Sequence, residues 1–125
     1  MNLKEIALTV LGSATVDLQN GDSKSIAYTV PVGKEAYVFG VLIANPTASL
    51  AGGTDFDIGS GANADTWKQT NNLSSLTSTD DYLFITQAAK YTVEAAGAQF
   101  GIKPITGATA DAQATMYVIG IEVDA

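Results

Sequence analysis

Apolar and polar residues alternate from the start of the chain. Ile6, Leu8, Val10, Gly12, Ala14, Val16 and Leu18 share one phase, and Ala7, Thr9, Leu11, Ser13, Thr15, Asp17 and Gln19 share the other. A period of two over that length predicts a strand, with Gly12-Ser13 marking a bulge or bend within it. Asn20-Gly21-Asp22 predicts a hairpin turn, because Asn and Gly accept the positive φ of the favoured turn types. A second strand follows, with Ile26, Tyr28 and Val30 on one side and Ser25, Ala27 and Thr29 on the other. Pro31-Val32-Gly33-Lys34 then breaks the pattern, since proline brings no donor to a ladder and glycine accepts the turn.

The stretch from Ala36 to Ala44 is apolar in nearly every position, with Tyr37, Val38, Phe39, Val41, Leu42 and Ile43. That is the pattern of a strand covered on both faces. Asn45-Pro46 ends it, and alternation returns in Thr54, Phe56 and Ile58 against Asp55, Asp57 and Gly59. Residues Gly59 to Asp81 have no clear period and predict a long surface excursion, tacked down by Trp67, Leu73 and Leu76. Strand character resumes over Tyr82 to Thr86. Between Gln87 and Ala96, Tyr91 and Val93 alternate with Thr92 and Glu94, which favours strand over a short glycine-capped helix. Gln99 to Ile105 contains Pro104 and predicts an edge strand, and a long strand closes the chain from Ala114 to Val123.

These elements amount to an all-β chain of about eight antiparallel strands without a helix of useful length. Two facing sheets would place the doubly apolar strand centrally, giving a β-sandwich that occupies residues 1–125 as one domain. No repeat at a fixed spacing points to a propeller or solenoid.

Composition narrows the chemistry. The 125 residues hold 13 acidic and 6 basic residues, no His and no Cys, for a formal charge of −7. The catalytic pairs built on imidazole or thiolate are therefore excluded, as are Cys/His metal sites and disulfides. All the basic residues are Lys, and the acidic balance argues against a nucleic-acid partner. Neither a membrane-length apolar stretch nor a leader pattern is visible, so no membrane partner is expected.

The remaining candidates are modest. Asp55, Asp57, Asn63 and Asp65 have oxygen ligands at a spacing that would suit calcium, but they better suit a solvent-facing strand and ordinary turns, and no Glu closes the loop as in an EF-hand. Trp67 with Tyr28, Tyr37, Tyr82, Tyr91 and Tyr117 could offer stacking platforms to a sugar, whereas a lone loop tryptophan more often anchors packing. Paired carboxylates among Asp80, Asp81, Glu94 and Glu122, and the Ser23-Lys24 pair, are the only routes to catalysis by composition. No enzyme, cofactor or metal is expected. Apolar residues on outer phases, such as Leu11, Leu83 and Ile105, favour burial by self-association.

Tyr28-Thr29-Val30-Pro31-Val32-Gly33-Lys34 ahead of the apolar strand, Phe56-Asp57-Ile58-Gly59-Ser60-Gly61 with Asn63 and Asp65 before an aromatic, and the long closing strand together resemble small jelly-roll head decoration, or cement, proteins of tailed bacteriophages. The resemblance covers most of the chain in order of elements. It implies a jelly-roll-like sandwich without catalytic residues. It also implies a homo-oligomer, dimer or trimer, that is made in the host cytoplasm and seated on the outer capsid surface of the virion. Its partner there would be the major capsid protein. The excursion, through Asn63, Asp65, Trp67, Leu73 and Leu76, is the candidate partner-contact loop. The alternative is a carbohydrate- or receptor-binding module of a head fibre or tail tip.

Overall fold

The computed structural model describes residues 9–87 and 93–125. Within them run β1 (Thr9–Asp17), β2 (Ser25–Thr29), β3 (Lys34–Ala44), β4 (Asp55–Gly59), β5 (Lys68–Asn71), β6 (Tyr82–Thr86), β7 (Val93–Glu94), β8 (Gln99–Thr106) and β9 (Gln113–Asp124), with no helix. One sheet has the order β1-β9-β3-β6, with β7 also on β3, and the other the order β2-β8-β4-β5. All these strand pairs are antiparallel. The pairing is nested: β1 with β9, β2 with β8, β3 with β6 and β7, β4 with β5. A long antiparallel ribbon has been rolled up so that β9 also meets β3 and β8 also meets β4, which is a jelly roll. Residues Ile6, Ala7 and Leu8 of the expected first strand, and Tyr91 and Thr92, lie outside the described residues.

The nesting changes the expected hairpin. Asn20-Gly21-Asp22 does turn, with Gly21 at φ 89 and the Asp22 N–H donating to Gln19 O at 3.0 Å. However, β1 and β2 enter different sheets, so the turn is a corner between layers and not a paired hairpin. The β1 ladder is bulged between Val10 and Gly12. Gly12 is required there, since a Cβ would lie 2.6 Å from Ala27 O. A second bulge, between Ile26 and Tyr28, brings both Ala27 and Tyr28 into the core and leaves Ile26 exposed, against the side assigned from its phase. At Pro31–Lys34 the Lys34 N–H donates to Pro31 O at 3.2 Å and Gly33 has φ 78, as a type II turn needs.

The core lies between the sheets. Val16, Leu18, Val38, Val41, Ile43, Met116 and Val118 come from one layer and Phe56, Ile58, Phe100 and Ile102 from the other, all essentially inaccessible. Two expectations need correction. First, β8 is not an edge strand: it runs between β2 and β4. Pro104 is tolerated because β2 stops pairing at Ser25↔Ile102, leaving β8 with β4 alone by the time proline is reached. Second, the excursion contributes β5 to a sheet. Lys68–Asn71 carries no apolar alternation, and Thr70 at φ 58 departs from extended geometry, so nothing in the pattern marked it.

Two strands pair along the same flank of β3. β6 ends at Gly40↔Thr86 and β7 begins at Tyr37↔Val93. Three steps along β3 thus separate the last described pair with β6 from the first with β7.

Candidate interaction surface

Residues opposed across an antiparallel ladder share a face, so the registers define the two outer surfaces. On the β1-β9-β3-β6 sheet, Ala114, Met116 and Val118 point inward and are buried. The intervening positions of β9 point outward: Thr115, Tyr117, Ile119, Ile121 and Val123, all half-buried by their neighbours. Val10 lies opposite Ile119, Ser13 opposite Tyr117 and Thr15 opposite Thr115. On the other flank Tyr37 lies opposite Ile121 and Leu42 opposite Tyr117. Phe84 faces Leu42, Tyr82 faces Ala44, and Val93 faces Tyr37. The Phe84 ring also covers Gly40, where an added Cβ would overlap it.

The outcome is an outer sheet surface of Val, Ile, Leu, Tyr and Phe with a few threonines. Tyr82, Val10, Phe84 and Val93 are 71, 53, 49 and 43% exposed. Among the described residues of these strands, the charged side chains on this surface are Asp17 and Glu35, opposite Gln113 and Val123 at the two ends of the strands. The Lys34–Asp124 ion pair sits at the rim. It holds the Lys34 ammonium above and the Asp124 carboxyl below their usual ranges, in each case through the hydrogen bond between them first.

The outer surface of the β2-β8-β4-β5 sheet is of another kind. Thr29 lies opposite Gln99 and Asp57 opposite Lys103. Asp57 Oδ1 accepts the Thr70 N–H at 3.1 Å, and Lys103 Nζ donates to Asn63 Oδ1 at 3.3 Å. Ile26 and Ile105 are isolated exposed aliphatics on a polar ground. One layer is therefore wetted on its outer side and the other is not.

The candidate loop residues separate into two groups. Asn63 and Asp65 are exposed. Trp67, Leu73 and Leu76 are at most 2% exposed and belong to the core of this same chain, so in the folded chain they are not partner contacts. Burial is physically forced: the Trp67 indole packs edge-on to Phe100 at 5.9 Å, and its Nε1–H donates to Val38 O at 3.0 Å. The indole thereby ties the excursion to the middle of β3. Gln87 Nε2 donates in turn to the Trp67 carbonyl. A sugar platform at Trp67 is therefore absent. Tyr37, Tyr82 and Tyr117 instead share the apolar sheet surface, and Tyr91 lies outside the described residues.

The acidic candidates are occupied or dispersed. Asp57 and Asn63 have the partners given above, Asp65 is exposed, and Asp55 Oδ1 is buried without a partner. Among the described residues no three Asp or Glu side chains are gathered as a metal ion would need. Asp81 Oδ2 accepts the N–H groups of Thr77 and Ser78, and Asp80 accepts the Ser78 hydroxyl, which lowers its pKa. These carboxylates shape a turn. Glu94 and Glu122 both lie opposite Ala36, from the two strands that flank it. Glu94 is 3% exposed and accepts from Thr66 Oγ1 at 3.4 Å, while Glu122 accepts the Tyr28 hydroxyl at 2.7 Å. Lys24 Nζ donates to the carbonyls of Gly61 and Gln99 at 2.7 and 2.6 Å, so it is committed to tying β2 to the excursion and is not free to serve Ser23 as a base.

The surface with the least explanation inside the chain is the apolar sheet face. Of the outer-phase residues singled out from the pattern, Leu83 packs against the core and Leu11 sits in the bulge, also packed on the core. The informative signal was that the closing strand is apolar in both phases. No family model, no curated protein and no solved structure matches the chain.

Proposed function

We propose that this chain is a non-enzymatic virion structural protein, a capsid decoration protein that binds the outer surface of an assembled phage head and stabilises it. The observation that carries the reading is the unlike chemistry of the two sheet surfaces. A jelly roll with one dry and one wetted outer face is equipped to hold two different protein surfaces at once. The resemblance in order of elements to head decoration proteins supplies the virion context. The acidic balance suits an outward site away from packaged DNA.

The physics of the role is mass action. A clamp that binds only the closed lattice shifts the equilibrium toward it by RT ln(1 + [L]/Kd), about 2.7 kcal/mol per site at a hundredfold excess over Kd. Clamps joined to one another sum modest contacts through effective concentration. The rival, a sugar-binding module, loses its principal platform because Trp67 is core.

The test is the heat resistance of heads from the virion that encodes the chain, stripped of it and then supplied with purified protein. The expected result is a rise in the temperature at which heads rupture, saturating with added protein. No binding to heads together with saturable binding to a glycan would replace this reading with the rival.

A further inference from the structure

We infer that the outer face of the β1-β9-β3-β6 sheet is a permanent interface with a second copy of this chain. The inference deepens the proposed function, resting on the reading of the chain as an adhesive scaffold, and it leaves the wetted sheet and the exposed part of the excursion for the capsid.

The first argument is area. Three strands of about nine residues and β6 of five, at about 4.8 Å spacing and about 3.4 Å rise, span on the order of 500 Å² before the relief of side chains is added. With side-chain relief it approaches the ~800 Å² per partner of a standard interface, and it lies at the upper end of what a lone monomer ordinarily leaves apolar. The second argument is composition. Transient interfaces are about as polar as the rest of a protein surface, whereas permanent ones between identical chains are drier and exclude charge from their centre. Here Ile119, Tyr117, Leu42 and Phe84 form a centre with no charged neighbour among the described residues of the face, and Asp17 and Glu35 stand at opposite strand ends, where water screens them.

The third argument concerns when the face must be covered. A dry surface of this size needs a partner from the moment the chain folds, and the partner always present then is another copy. Self-association also has to overcome a charge of −7 on each chain. Keeping the face itself uncharged allows close approach there and nowhere else. Growth through the β6 edge is opposed by Lys68, whose Nζ donates to the Thr86 carbonyl at 3.1 Å and guards the end of that strand. The copies therefore meet face to face, their sheets about 10 Å apart.

Sedimentation equilibrium of the purified chain, without capsids, tests this. The wild type is expected to be oligomeric at ~10 µM, a modest threshold for an interface of this size. Ile119→Glu, which places a charge at the middle of the face, should raise the dissociation constant at least about a hundredfold. Thr29→Glu, an equal charge on the wetted sheet, should leave it unchanged. If Ile119→Glu does not fold by circular dichroism, Tyr82→Glu carries the test, since Tyr82 is 71% exposed. A wild type that stays monomeric at ~100 µM, or an oligomer that survives the folded face variant, overturns the inference. Either result leaves the head-stability test untouched, and failure of that test leaves this one standing.

Discussion

Replacing Trp67 by Phe probes the contact that ties the excursion to β3 and to Phe100. The substitution keeps an aromatic ring near Phe100 but removes the Nε1–H that reaches Val38 O at 3.0 Å. Val38 is buried, so loss of this hydrogen bond to its carbonyl costs about 1–3 kcal/mol. Losing the second ring of a side chain that is 2% exposed adds about 1 kcal/mol of lost burial and cavity. The sum is about 2–4 kcal/mol. For a chain of 125 residues, at about 4 °C per kcal/mol, Tm should fall by about 8–16 °C. Trp67→Ala should cost more, since it also leaves a cavity of indole size. The chain has a single Trp, so unfolding should be followed by circular dichroism in guanidinium, at one fixed protein concentration. A loss below about 0.5 kcal/mol for Trp67→Phe would show that the indole is not a keystone of the fold.

Three further outcomes follow from particular contacts. Burial, and then the hydrogen bond to Glu122, push the Tyr28 hydroxyl above its ordinary value near 10, so the folded state holds this proton more tightly than the unfolded one. That contribution is complete below pH 10 and is lost as pH rises beyond it. Tyr28→Phe should therefore cost about 0.5–1.5 kcal/mol at pH 7 and flatten the alkaline fall of stability in urea titrations. Gly120→Ala should destabilise by about 3 kcal/mol or more, because the new Cβ would lie 2.0 Å from Tyr37 O in the β3–β9 ladder; an unchanged denaturation midpoint would contradict the packing there. Lys34→Ala should leave Tm within about 2 °C, since the ion pair it removes is solvent-exposed.

The strands themselves were legible because most of them keep one dry face, and period two survives translation into any sheet. Their partners were not. In a rolled ribbon β1 pairs with β9 from the far end of the chain, and no local pattern records which distant strand lies alongside. Bulges erased phase at Ile26, and β5 showed no phase at all because an edge strand of Lys, Gln, Thr and Asn is read only through its partner, Phe56↔Asn71.

The apolar sheet face was hidden for a related reason. A strand buried on both sides by its own chain and a strand with a sticky outer face have the same sequence signature. The apolar run from Ala36 to Ala44 predicted full cover, yet only Ala36, Val38, Val41 and Ile43 are lined up in the core, while Tyr37 and Leu42 join the outer face. Conversely, Trp67 in a polar loop resembled a recognition residue, whereas its indole is buried and donates to Val38 O.

The most direct measurement is co-sedimentation of the purified chain with assembled heads and, separately, with unassembled major capsid protein from the same virion. The account predicts saturable binding to heads and none to free subunits, because only the closed lattice presents neighbouring capsomers to be bridged. Equal binding to both, or to neither, would contradict it.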